Sequence, residues 1–100
     1  MMSRISEATA FELAQQRIDA LASALVDAFS IIPEKTVRGS QGWLYFYNTT
    51  DFIRSSNPSD SLVGNGPILV FADGGVEEFP SSLSLELAYA KIGYDEHAAG

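Results

Sequence analysis

The sequence predicts an α+β fold: one long N-terminal helix packed on a four-stranded, mainly antiparallel sheet, with a short helix at the C-terminal end. Three observations lead there. A helical apolar period runs through residues 9–29 without a glycine or proline, short β-rich runs follow Pro33, and capping chemistry reappears around Ser84. One hundred residues make a single domain spanning 1–100, with 46% apolar content and six Phe, four Tyr and one Trp to fill its core. Residues 1–8 and 95–100 are expected to fray.

The first element is read as Thr9 to Phe29. Thr9 and Glu12 fit a capping box, in which each side chain satisfies a free backbone N–H of the first turn. Ala10, Ala14, Ile18, Leu21, Ala22, Leu25 and Phe29 fall on one face. Pro33 marks the exit, because a proline disfavours helix in the residue before it. Glu34–Arg38 alternates weakly and reads as an exposed edge strand. After the Gly39–Gly42 turn, Trp43-Leu44-Tyr45-Phe46-Tyr47 puts five large β-formers in a row, which predicts a central strand.

Trp43, Tyr45 and Tyr47 share one face of that strand and Leu44 and Phe46 the other. One set belongs under the helix. The other is either covered by the Asn48–Gly66 segment or left as an aromatic interface. That segment is irregular, with a short helix at Thr50–Arg54. Ile68–Phe71 is the next buried strand, and Asp73-Gly74-Gly75 the hairpin loop. Val76–Phe79 returns, with Val76 and Phe79 of opposite parity, so a bulge or a very short strand is expected. Ser82 or Ser84 caps a last helix that stops at Gly93.

The chemistry-bearing residues are sparse. There is no cysteine, so disulfides and thiolate metal sites are excluded and the chain suits a reducing, cytoplasmic setting. The single histidine, His97, stands three residues from the end, where an imidazole is poorly held for catalysis. Glu77-Glu78 and Asp95-Glu96 are adjacent pairs and form no cage. The reading is therefore no enzyme, no metal and no cofactor. The N-terminus carries no apolar leader and no run is long enough to span a bilayer. A formal charge of -7 opposes nucleic-acid and anionic-membrane binding and favours a basic protein partner.

Two motifs resemble a known family. Gly42-Trp43-Leu44-Tyr45-Phe46-Tyr47-Asn48 is similar to its Gly-Trp-aromatic strand followed by Asn. Leu62-Val63-Gly64-Asn65-Gly66-Pro67-Ile68 is similar to its Gly-Asn-Ala-Pro turn, with Gly66 where alanine is expected. These are the YrhB-like immunity proteins, immunity protein family 35 of bacterial polymorphic-toxin systems. The resemblance covers roughly Thr9 to Ile92. It implies a non-catalytic α+β protein that neutralises a cognate toxin, encoded by an adjacent gene, by tight binding. Gly42, Trp43, Gly64, Asn65 and Pro67 match the motifs and read as fold determinants.

Partner contacts are expected on more tolerant ground: Asp51, Arg54 and Asp60 in the irregular segment, Asp73, Glu77 and Glu78 at the acidic hairpin, and Tyr45 and Tyr47 if their face is open. The alternative is a chaperone or adaptor of the same fold that binds several clients through an aromatic surface. A homodimer built on an exposed strand edge stays open beside either.

Overall fold

The structure, a computed structural model, describes residues 4–25, 28–56, 66–79 and 84–94. Its elements are helix α1 (Glu7–Leu25), strand β1 (Phe29–Ile31), a 3-10 turn (Pro33–Lys35), β2 (Val37–Arg38), β3 (Gly42–Tyr45), β4 (Tyr47–Thr49), α2 (Thr50–Ser55), β5 (Ile68–Phe71), β6 (Val76–Glu78) and α3 (Leu85–Ile92). Strands β2-β3-β5-β6 form an antiparallel sheet in that order, and β1 and β4 form a separate antiparallel pair.

The four-stranded sheet is buried on both faces. On one side Ala10, Ala14, Ile18 and Ala22, at helical spacing along α1, meet Trp43, Tyr45, Tyr47, Ile68 and Val70. Three of those four helix positions are alanine, which lets the helix axis approach closely. On the other side Ala88 and Ile92 of α3 cover Leu44, Leu69 and Phe79, with Phe46 and Phe71 partly buried beside them. Helix α3 therefore covers Leu44, with Phe46 beside it; of the 48–66 segment expected as the alternative cover, residues 57–65 lie outside the described residues. The two cores also explain the parity of β6. Val76 turns to the α1 core and Phe79 to the α3 core, so β6 is a regular three-residue strand without a bulge.

Several boundaries differ from the sequence-based reading. Helix α1 begins at Glu7, with Ser6 as its cap: the Ser6 hydroxyl accepts from the Thr9 amide at 3.1 Å. Thr9 thus stands in the first turn. Phe29 leaves the helix and opens β1, because pairing Phe29 with Thr49 and Ile31 with Tyr47 buries both apolar residues while Ser30 faces away. The Phe29 and Tyr47 rings lie 5.7 Å apart. The run from Trp43 to Tyr47 divides at Phe46. Gly42–Tyr45 serves the large sheet, and Tyr47–Thr49 turns off to β1. Of the expected edge strand 34–38, only Val37 and Arg38 pair.

Residues 4–8, expected to fray, are held. The Ile5 amide donates to the Ala72 carbonyl at 2.9 Å, and the Arg4 guanidinium donates to the Ser40 carbonyl at 2.6 Å. The β2–β3 turn that receives Arg4 also caps α3. The amide of Gln41 donates to the Ile92 carbonyl at 2.8 Å, which satisfies an orphan group of the last turn. Helix α3 is capped as expected, by the Ser84 hydroxyl accepting from Glu86 N at 3.1 Å and by Gly93 at φ 74°. Gly42 is required by packing: a Cβ there would run into the Val70 carbonyl oxygen of the neighbouring strand.

Candidate functional site

The described residues among those expected to meet a partner do not form one surface. Asp51 and Arg54 lie on α2 and pair with each other at 2.7 Å. Helix α2 follows the chain out of the end of the sheet where Tyr45 pairs with Ile68. Asp73 lies in the β5–β6 turn at the other end, beyond the Gly42–Phe71 pair, and its carboxylate accepts from Gly75 N at 2.9 Å. Glu77 and Glu78 point to opposite faces of β6. Glu77 pairs with Lys91 of α3 at 3.2 Å and Glu78 with Arg17 of α1 at 2.9 Å. Each of these described carboxylates is thus already engaged within the chain. Asp60, Gly64 and Asn65 lie outside the described residues, as do Ser82 and His97. Pro67 is buried, and its carbonyl accepts from Phe79 N at 2.9 Å.

Tyr45 and Tyr47 belong to the α1 core, and their face is no exposed aromatic patch. Tyr45 is only 1% exposed. Its hydroxyl nevertheless has no hydrogen-bond partner among the described residues. Burial pushes the Tyr45 phenol up to about 12, with Glu7 adding to the rise and Arg38 opposing it, so the hydroxyl keeps its proton.

A concavity of about 320 Å³ has Tyr45 in its lining. Helix α1 supplies Glu7, Ala8 and Phe11 to its wall; Pro33 and Arg38 close the opposite side. Phe11 stands edge-on to Tyr45 with ring centroids 6.0 Å apart and remains 37% exposed. At the rim the Glu7 carboxylate takes both Nε and Nη2 of Arg38, the latter at 2.9 Å, and also accepts from the Trp43 indole at 3.2 Å. The Arg38 hydrogen bond, ahead of any other influence, holds the Glu7 carboxyl below the usual range.

Sequence reasoning missed this arrangement because Glu7 and Arg38 are 31 residues apart and belong to no motif. One signal was present: Phe11 is a large apolar residue beside the α1 stripe, not on it. Among the described residues no three potential metal ligands cluster, and no helix is long and apolar enough to cross a membrane.

Comparison with curated proteins and with solved structures finds no match. A protein-family model described as immunity protein 35 matches residues 8–93, from the first turn of α1 to the glycine that ends α3, and so takes in the buried residues of both cores. The chain belongs to the immunity protein 35 family.

Proposed function

We propose that this protein neutralises a cognate bacterial toxin by binding it directly, without catalysis of its own. The observation that carries the reading is the family match over residues 8–93, which runs from the first turn of α1 to the end of α3. The architecture suits such a role. A sheet buried on both faces and tied at its ends by Arg4, Gln41 and the paired glutamates offers a firm platform, and a firm platform loses little conformational freedom on binding. The partner is a protein toxin encoded by an adjacent gene, and the complex forms in the cytoplasm. The net charge of -7 favours a toxin with a basic binding face. A general adaptor needs an exposed aromatic surface, and Tyr45 and Tyr47 are in the core.

The test is co-expression with the toxic domain of the neighbouring gene, followed by pull-down. Growth rescue together with a stable one-to-one complex is the expected result. A toxin that kills equally well in the presence of this protein would sink the reading.

A further inference from the structure

We propose that the toxin docks along the outer edge of β1, where an extended segment of it pairs with the main chain of Phe29 and Ile31. The inference rests on the toxin-binding reading and adds to it the contact site and the mode of recognition.

The first ground is the hydrogen-bond pattern of β1. In an antiparallel pair, opposed residues alternate between those that exchange main-chain bonds and those that do not. The Ala28 carbonyl accepts from Thr50 N, and Ile32 N donates to the Phe46 carbonyl, each at 2.9 Å. In this register Ala28, Ser30 and Ile32 turn their main chain to β4, and Phe29 and Ile31 turn theirs outward. Among the described residues β1 ends its sheet, and nothing there bonds the outward N–H and C=O groups of Phe29 and Ile31. Such groups are the template on which an extended peptide adds a strand.

The second ground is what this edge lacks. Exposed edges are commonly guarded by charged side chains, which discourage strand addition. Both edges of the four-stranded sheet follow that rule: β2 carries Arg38, and β6 carries Glu77 and Glu78. Phe29-Ser30-Ile31 carries no charge.

The third ground is the flanks. Of the large apolar side chains left exposed among the described residues, two belong to segments that meet the ends of β1. At the Phe29 end, α2 starts from the Thr50 amide that bonds Ala28, and its Ile53 is 39% exposed. At the Ile31 end the chain runs into Pro33, which lines the concavity together with the exposed Phe11. A three-residue strand makes few bonds by itself, and apolar contact beyond its ends supplies the further area that a protein interface needs.

Charge selects the occupant. A second copy of this chain would bring another formal charge of -7, and two such chains repel. A basic toxin is drawn to the same molecule, and the uncharged edge accepts its strand without desolvating a charged side chain.

Amide hydrogen exchange, read residue by residue by NMR, tests this on the isotope-labelled protein, free and bound to the unlabelled, inactivated toxic domain of the neighbouring gene product. In the free protein Ser30 and Ile32 should exchange slowly, and Phe29 and Ile31 fast. In the complex Phe29 and Ile31 should slow by at least about tenfold. A complex in which both amides stay fast would overturn the site while leaving the toxin-binding reading intact. Slow exchange of both in the free protein, unchanged on dilution, would mean that the chain covers its own edge and would overturn the site. Slow exchange that is lost on dilution would give the edge to a second copy, and also overturn it. Failure of the protein to bind the toxic domain at all would remove the functional reading, and this site with it.

Discussion

The indole nitrogen of Trp43 donates to the carboxylate of Glu7 at 3.2 Å, joining the central strand to the first turn of α1. The same carboxylate holds the Arg38 guanidinium of the edge strand, and the Arg4 guanidinium lies over the Trp43 ring, 4.8 Å from its centroid. Trp43 is thus a core side chain with its polar atom satisfied, as a buried tryptophan requires. The N-terminal segment with α1 is thus fastened at one point to the β2–β3 hairpin, some thirty residues away in sequence.

Replacing Trp43 with alanine should cost about 3–5 kcal/mol, the range for truncating a large aromatic in a core. That is a large share of the roughly 5–15 kcal/mol expected for a domain. Denaturant melts of wild-type and Trp43→Ala protein measure it. A midpoint unchanged within error would mean that the ring is not packed between α1 and the sheet. Trp43→Phe should fall between, since it keeps most of the area and loses the bond to Glu7.

Glu7 confers a pH dependence whose sign is fixed by its neighbours. Its folded pKa is depressed, chiefly by the Arg38 hydrogen bond. The stabilisation is therefore complete above the unfolded value of about 4.3 and disappears as pH falls through the lower folded value. The side chain is partly exposed, so solvent screening limits the effect to about 1 kcal/mol or less. Glu7→Gln keeps an acceptor for the indole and removes the charge. Wild-type protein should be the more stable at pH 7, and the gap should narrow as pH falls below the unfolded value. A gap that does not narrow at all as pH falls below the unfolded value would mean that the charge of Glu7 is not its source.

The start of α1 separates two caps that the sequence offers within four residues. The Ser6 hydroxyl accepts from Thr9 N, whereas Thr9 is already inside the helix. Ser6→Ala should cost about 1 kcal/mol, a typical cap loss. Thr9→Ala should cost much less or stabilise slightly, since alanine is the better helix former. The reverse order in thermal melts would restore the capping box at Thr9 and Glu12.

That pair of residues illustrates how far the sequence was legible. Helical period, the central aromatic strand, the edge position of β2, the Asp73-Gly74-Gly75 turn and the Ser84–Gly93 helix all follow local rules, and local rules sufficed. Phe29 did not follow, because its apolar match to the α1 stripe is outweighed by pairing with Thr49, a partner 20 residues away. The division at Phe46 was hidden for the same reason: nothing local says that one strand feeds two sheets. Tyr45 was read as an exposed contact or as core by parity alone. Its actual state, buried in the ring and unpaired at the hydroxyl, depends on Phe11, Glu7 and Arg38, which only the tertiary fold brings together.

Gly42 makes the close approach of β3 to β5 testable. Gly42→Ala would press a methyl group into the Val70 carbonyl, a backbone atom that cannot swing aside. A loss of about 1–3 kcal/mol is expected, as for other overpacked interiors. An alanine variant that melts with the wild type would mean that the strands can separate there without cost.

The last prediction concerns the acidic surface. Reversing Glu77 and Glu78 to lysine would set like charges against Lys91 and Arg17, so a drop in binding could reflect damage to the scaffold. Neutral substitution avoids this. Both pairs are partly exposed, and exposed ion pairs contribute only about 0–1 kcal/mol each. The Glu77→Gln, Glu78→Gln double variant should therefore melt within about 2 kcal/mol of wild type. Toward a basic toxin it should associate more slowly at low salt, with a flatter salt dependence and nearly unchanged dissociation, because rim charges act on encounter more than on the formed complex. Stopped-flow association at low and high ionic strength, with wild type and the double variant in parallel, reads the effect. Association rates that ignore salt in the wild-type protein would mean that charge steering plays no part in binding.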